Sequence, residues 1–140
     1  MAFFKCFLVA IGSSIAVGQE TETPRVTERE RLTAERFLTV LVRRPRPGTA
    51  LDRVVEFHNR AGTIDTFIDS LVVDDGAEGA GAKAMIAGLV YLRQGKASDA
   101  ARQLGRATKL MPDASVASFQ HGVALLQIGE LEKAAAAQRQ

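Results

Sequence analysis

Residues 81–140 contain an internal repeat, in which residues 81–106 align with residues 115–140. The five identical pairs in this alignment are Gly88 with Gly122, Leu92 with Leu126, Gly95 with Gly129, Ala100 with Ala134, and Ala101 with Ala135. Most of the repeated residues are small, and small side chains allow neighbouring helices to approach closely. A repeat of this length predicts short supersecondary units that bury their apolar faces by stacking on one another.

Glycines divide the repeated unit into two helices. A glycine inside a helix costs about 1 kcal/mol relative to alanine, so Gly88 needs a compensating contact. We expect Gly88 and Ala100 to allow a close approach of two packed helices. Gly95 is placed to end the first helix, and Pro112 follows the second, which we predict over residues 98–110.

This pattern resembles the tetratricopeptide repeat family, whose unit is a helix pair of about 34 residues. The offset between Gly88 and Gly122 matches that unit. With Gly81 as the first residue, the family's signature falls on Gly88, Tyr91, Gly95, Ala100, Leu104, Ala107 and Pro112, and in the second copy on Gly122, Leu125 and Ala134. Ala84 and Ser118 stand where the family has a tryptophan-like residue. Ala87 and His121 stand where it has a leucine-like residue. We expect weaker packing at these places.

The resemblance implies an all-α fold in which antiparallel helix pairs stack as a short right-handed superhelix, or α-solenoid. Residues 81–114 would form the first repeat and residues 115–140 an incomplete second repeat. In the family, the first helix of each pair lines a concave face that binds a protein or peptide, and the corresponding residues here are Met85, Leu89, Phe119 and Val123. These apolar residues either pack against neighbouring helices or form an apolar groove for a partner. They are not the lysine and asparagine with which peptide-clamping members hold a terminal carboxylate.

Residues 27–73 are predicted to form helices ahead of the repeats. Thr27 and Glu30 have the spacing of a capping box, which predicts the start of a helix. That helix should end before Pro45 and Pro47, because proline cannot continue it. Its apolar stripe would consist of Leu32, Phe37, Leu38, Leu41 and Val42.

Two further helices are predicted over residues 50–73. Thr49 and Thr63 are the expected N-caps, and Gly62 is expected in the left-handed conformation that ends the first of these helices. The two helices should therefore turn back on each other, as a degenerate repeat or a preceding cap. Residues 44–54 also resemble the region ahead of the repeats in exported bacterial tetratricopeptide proteins. The predicted apolar faces are Leu51, Val54, Val55 and Phe57, and then Ile64, Phe67, Ile68, Leu71 and Val72.

The N-terminus has the pattern of an export signal. A lysine precedes an apolar run over residues 6–17, and small residues at its end predict cleavage after Gly18. The run is shorter than the ~20 apolar residues that span a bilayer. The alternatives are an uncleaved anchor and a buried helix. We predict a signal peptide at 1–18, a disordered tether at 19–26, and a periplasmic or secreted protein without a stable membrane span.

Composition narrows the classes of function. The formal net charge is +2, and removal of residues 1–18 would leave 17 basic and 16 acidic residues, a net charge of +1. This charge is too small to predict a nucleic-acid partner, which requires a basic patch or stripe. Cys6 is the only cysteine, so the mature chain would have no disulfide and no thiol chemistry. No cofactor is predicted.

The histidines do not predict a metal site. His58 and His121 each stand alone in the sequence, whereas a zinc site needs three or four donors. We expect His121 at a place where helices pack. We expect His58 at the surface near a helix end, where its charge would favour the helix C-terminus.

Three polar stretches are predicted to be turns. A glycine-rich linker is expected at 74–80, and the pair Asp74 and Asp75 within it lacks the other ligands of a calcium loop. Residues 76–83 end in Lys83, but they lack the lysine-serine or lysine-threonine ending of a phosphate-binding loop. The run RRPRP, residues 43–47, is expected to be a solvated turn, with binding of an acidic partner as the alternative.

We therefore predict a non-catalytic scaffold for protein–protein contact. The alternative is the substrate-recognition arm of a longer exported enzyme or processing factor, and a third hypothesis is a structural component of the cell envelope. Repeat arrays need about three units and a polar cap, whereas the last predicted helix, 131–140, ends with the sequence. We expect either a longer protein or self-association through this open end.

Overall fold

The computed structural model of the protein describes residues 26–139. This part of the chain forms seven α-helices and contains no β-strand, which confirms the prediction of an all-α fold. The predicted signal peptide and residues 19–25 of the predicted tether lie outside the described residues. The helices are α1 (Glu28–Arg43), α2 (Thr49–Arg60), α3 (Ile64–Leu71), α4 (Ala80–Arg93), α5 (Ala97–Leu110), α6 (Ser115–Gln127) and α7 (Leu131–Ala137).

The capping box predicted at the start of α1 is present. The Thr27 backbone N–H donates to Glu30 Oε2 at 2.8 Å, and the Glu30 N–H donates to Thr27 Oγ1 at 3.3 Å. The predicted apolar stripe of α1 is only partly correct, because Leu41 is buried whereas Leu32 is 43% exposed. The buried face also includes Ala34. Leu32 lies two residues earlier, and two residues correspond to more than half a helical turn.

Helices α2 and α3 pack differently from the predicted tight pair. Gly62 has φ +67°, which confirms the left-handed turn between them. However, α2 packs most extensively on α1, and the eight-residue helix α3 packs more on α4 than on α2. The N-cap of α2 is Gly48, with φ +142°, so the prediction for Thr49 is wrong by one residue. Val72 is the exposed C-cap of α3 and does not belong to its apolar face.

The connection between α3 and α4 spans residues 72–79, so α4 begins at the last residue of the predicted linker. Gly79, with φ +70°, is the N-cap of α4. Arg106 of α5 holds this connection, because its guanidinium donates to the Val73 carbonyl and binds the Asp75 carboxylate. Asp75 is thus exposed, as the sequence predicts, but it is also paired.

Helices α4 and α5 form the most extensive helix contact and run antiparallel. A Cβ atom built on Gly88 would lie 2.5 Å from Leu104 Cγ, and one built on Gly81 would lie 2.5 Å from Met111 Cγ. The close approach predicted at Gly88 is therefore confirmed. The side chain that fills the space is Leu104, whereas Ala100 lies one turn earlier on α5 and is fully buried.

The second helix pair, α6 and α7, repeats the local structure of the first at the offset found in the sequence. The equivalent residues Gly95 and Gly129 have φ values of +72° and +81°, and each follows the first helix of its pair. In both turns the next residue donates its N–H to the carbonyl five residues back, at 2.9 Å. Gly122 approaches α7 as Gly88 approaches α5, since a Cβ built there would lie 2.9 Å from Gln138 Cγ.

The signature residues lie mainly where α4 contacts α5 and where α6 contacts α7. A continuous apolar core runs from Leu41 of α1 to Ala137 of α7. Ala84 and Ala87, where the sequence predicts weaker packing, are fully buried in this core. Tyr91 is half-buried, and Pro112 lies in the exposed turn after α5. The buried signature residues are Gly88, Ala100, Leu104, Ala107, Gly122, Leu125 and Ala134.

Candidate functional site

The four residues predicted to line a concave face divide into a buried pair and an accessible pair. Met85 and Leu89 of α4 are 1% and 2% exposed, so they pack against neighbouring helices. Phe119 of α6 is 54% exposed, and Val123 is half-buried. Only the pair on α6 is therefore accessible to a partner.

The N-terminal helices account for the burial on α4. Helices α1, α2 and α3 all contact α4. Their buried residues Leu41, Leu51 and Phe67 belong to the same apolar cluster as Met85 and Leu89. The N-terminal helices thus occupy the surface that a partner would need on α4.

Helix α6 carries an apolar stripe that consists of the exposed Val116, Phe119 and Leu126 and the half-buried Val123. We call these residues the α6 stripe. Successive members are three, four and three residues apart, and this spacing places them on one face of the helix. The other face is buried, and α6 contains no Asp, Glu, Lys or Arg. The stripe therefore presents apolar side chains without a charged residue on the same helix.

The α6 stripe corresponds to the covered face of α4. In the alignment of the two repeats, Phe119 and Val123 stand opposite the buried Met85 and Leu89. The family resemblance identifies only these two members of the stripe. The other two are identifiable from their spacing of three residues to either side, a signal that the sequence analysis did not use.

A cavity of about 220 Å³ opens beside Val116, at the N-terminal end of the stripe. The connection between α1 and α2 contributes Arg44 and Arg46 to its lining, and Met111 lines it from the end of α5. Both arginines are exposed, as expected for a solvated turn. The stripe thus continues into an apolar recess with a cationic margin.

A second cavity, of about 430 Å³, lies between α1 and α2. It is lined by both signs of charge, and two of its ion pairs are Arg60 with Glu30 at 2.7 Å and Arg53 with Glu56 at 3.1 Å. The lining contains Arg29 as well, so its three arginines are nearly balanced by two glutamates.

His58 does not occupy the surface position predicted for it. Its ring stacks on Phe67 with the ring centroids 4.1 Å apart, and it meets Phe57 edge-on at 5.1 Å. Its Nδ1 is 2.9 Å from Thr63 Oγ1. Burial lowers the pKa of His58, so the neutral ring is favoured and the predicted charge at the helix end is not supplied. The turn at Gly62 brings α3 back over the ring.

We expect acidification to destabilise the protein through its two half-buried histidines. Burial lowers the pKa of both His58 and His121 below 6.5. The folded chain then binds fewer protons than the unfolded chain. The contribution of the two histidines to the free energy of unfolding is therefore fully present above pH 6.5 and is lost as the pH falls through the folded-state pKa values. Glu28 and Glu30 have pKa values lowered below 4.5 and titrate in a more acidic range.

Urea unfolding at about pH 7.5 and about pH 5 tests this expectation, with a lower midpoint at the acidic pH. The variant with His58→Gln and His121→Gln is the control, and its midpoint should change less between the two conditions. An equal loss in both proteins would contradict the assignment to the histidines.

Within residues 26–139, no three His, Cys, Asp or Glu side chains are grouped so that they could hold a metal ion. No helix in the same range combines the length and apolar character needed to cross a membrane.

Comparison of the chain with protein-family models finds no match, and comparison with curated proteins also finds none. The resemblance to tetratricopeptide repeats therefore depends on the signature residues of the sequence.

Proposed function

We propose that this chain is an exported, tetratricopeptide-like scaffold that holds a partner protein and carries out no catalysis. The common period of the sequence repeat and of the helix turns supports the repeat assignment. The lysine and apolar run in residues 1–18 support export. The two helix pairs provide a rigid support, and the α6 stripe provides the binding surface.

The observation that carries this proposal is the difference between two equivalent faces. On α4 the face is covered by helices, and on α6 it is accessible. Because helices of this chain cover the first face, an amphipathic helix of a partner is the fitting occupant for the second. Such a helix would place apolar residues at spacings of three and four on the α6 stripe. Phe119 is its most exposed member and would be the central anchor.

The test is a pulldown from an envelope extract of the native organism with the processed chain, 19–140, as bait. We expect a retained protein whose binding is lost with Phe119→Asp but kept with Leu32→Asp. Leu32 is the matched control, because it is also a large apolar residue exposed on a helix, at 43%. When the native organism expresses the full-length gene, intact mass analysis of the purified protein should show a chain that begins at Gln19.

Retention of the same proteins by the Phe119→Asp bait would contradict the assignment to the α6 stripe. A concentration-dependent dimer that Phe119→Asp abolishes in sedimentation experiments would instead identify a second copy of the chain as the occupant. An uncleaved N-terminus in the mature protein would contradict the predicted signal peptide.

A further inference from the structure

A groove of about 870 Å³ lies between α5 and α7, and α6 contributes to its lining. It contains none of the residues of the α6 stripe. Its volume is in the range that ligand sites in proteins commonly occupy. The groove is therefore large enough to take a short segment of another chain.

The polar lining of the groove is mostly cationic. Arg102, Arg106, Lys109 and Lys133 line it, together with a single carboxylate, that of Asp75. Asp75 is bound by Arg106, so one wall of the groove already holds a carboxylate. The surplus of positive charge favours an anionic ligand.

Several of these cations remain available to a ligand. Arg102 pairs with Asp99 at 2.7 Å and Lys133 pairs with Glu130 at 3.2 Å, in each case between exposed neighbours on the chain. Such surface pairs contribute little and are readily exchanged. Lys109 takes part in none of the ion pairs formed among residues 26–139.

The deeper part of the groove is formed by small and apolar residues around His121. A Cβ atom built on Gly105 would lie 3.0 Å from His121 Nε2, so the glycine leaves room for the imidazole. Ala101 and Ala137 line the groove from α5 and α7, and both are buried. The backbone of a bound peptide can lie on such small residues while the acidic side chains of that peptide reach the cations of the groove.

We propose that this groove binds an acidic peptide segment, whose carboxylates are held by Arg102, Lys109 and Lys133. A single nucleic-acid strand fits less well, because strand-binding grooves use aromatic side chains for base stacking and this lining contains no Phe, Tyr or Trp. The proposal does not depend on the α6 stripe or on the function proposed for it.

Fluorescence anisotropy with a labelled decaglutamate peptide tests the proposal at low salt. We expect saturable binding that weakens about fivefold with Lys109→Glu and about fivefold with Lys133→Glu, since each reversal replaces an exposed attraction by a repulsion. Arg36→Glu is the matched control, because it makes the same change in net charge at an exposed position on α1 outside the groove. Circular dichroism of each variant verifies that it folds.

An equal loss with Arg36→Glu, or no saturable binding of decaglutamate by the wild-type chain, would overturn the proposal. An oligothymidylate that binds as tightly as decaglutamate and responds to the same variants would assign the groove to nucleic acid instead. Phe119→Asp should leave decaglutamate binding unchanged, so failure of the groove and failure of the α6 stripe are distinguishable.

Discussion

Gly88→Leu should lower the free energy of unfolding by about 1–3 kcal/mol or more. Leucine favours helix formation over glycine by about 1 kcal/mol, so propensity alone predicts the opposite sign. Steric overlap dominates, because a Cβ at this position would lie 2.5 Å from Leu104 Cγ and 3.2 Å from the Leu104 backbone nitrogen. The side chain of Leu104 can change its rotamer, but its backbone can move only if α4 and α5 separate. Urea unfolding followed by circular dichroism measures the change.

Gly76→Leu is the control for this experiment. A Cβ at Gly76 has no heavy atom within 4 Å, and we expect a change within about 0.5 kcal/mol. A double-mutant cycle of Gly88→Ala with Leu104→Ala should show coupling, because the smaller side chain at 104 relieves the overlap. Full stability of Gly88→Leu, or strictly additive effects in the cycle, would contradict the close contact between these helices.

Leu89→Asp should unfold the protein, with a loss of about 4 kcal/mol or more. Leu89 is 2% exposed within the apolar cluster that joins α4 to the N-terminal helices. An aspartate there would lose the packing of the leucine and would bury a carboxylate without a partner. Thermal and urea unfolding should both show the loss.

Phe119→Asp makes the comparable substitution on the equivalent face of the second repeat. Because Phe119 is 54% exposed, we expect the free energy of unfolding of this variant to differ from that of the wild-type protein by no more than about 0.5 kcal/mol. The contrast tests whether the N-terminal helices cover α4 in solution. If both faces were open, as in an uncovered concave surface, the two aspartates would have similarly small effects.

Signals within a few residues of one another predicted much of the helical framework. The capping box at Thr27, the left-handed turn at Gly62 and the end of a helix at Gly95 are all found. Each depends on hydrogen bonds or backbone angles that a short stretch of chain sets for itself. The errors at the helix ends are small, as at Thr49, where Gly48 takes the N-cap position instead.

The partners of each apolar face were less predictable. The sequence placed His58 at the surface, but its ring stacks on Phe67 because α3 returns across it. It assigned Leu32 to the buried face of α1, where it is exposed. The cationic groove between α5 and α7 also has no signature in the sequence, since its residues come from separate helices and the α3–α4 connection.

The amino-acid order was sufficient to establish the helical class, the repeat period and the glycine contact between α4 and α5, because these follow from helix periodicity and side-chain size. It could not establish that Met85 and Leu89 are covered while Phe119 and Val123 are open, since the two pairs have the same spacing and the same apolar character. That difference arises from long-range packing of α1, α2 and α3 on α4, where they bury apolar surface that the periodic pattern leaves unassigned.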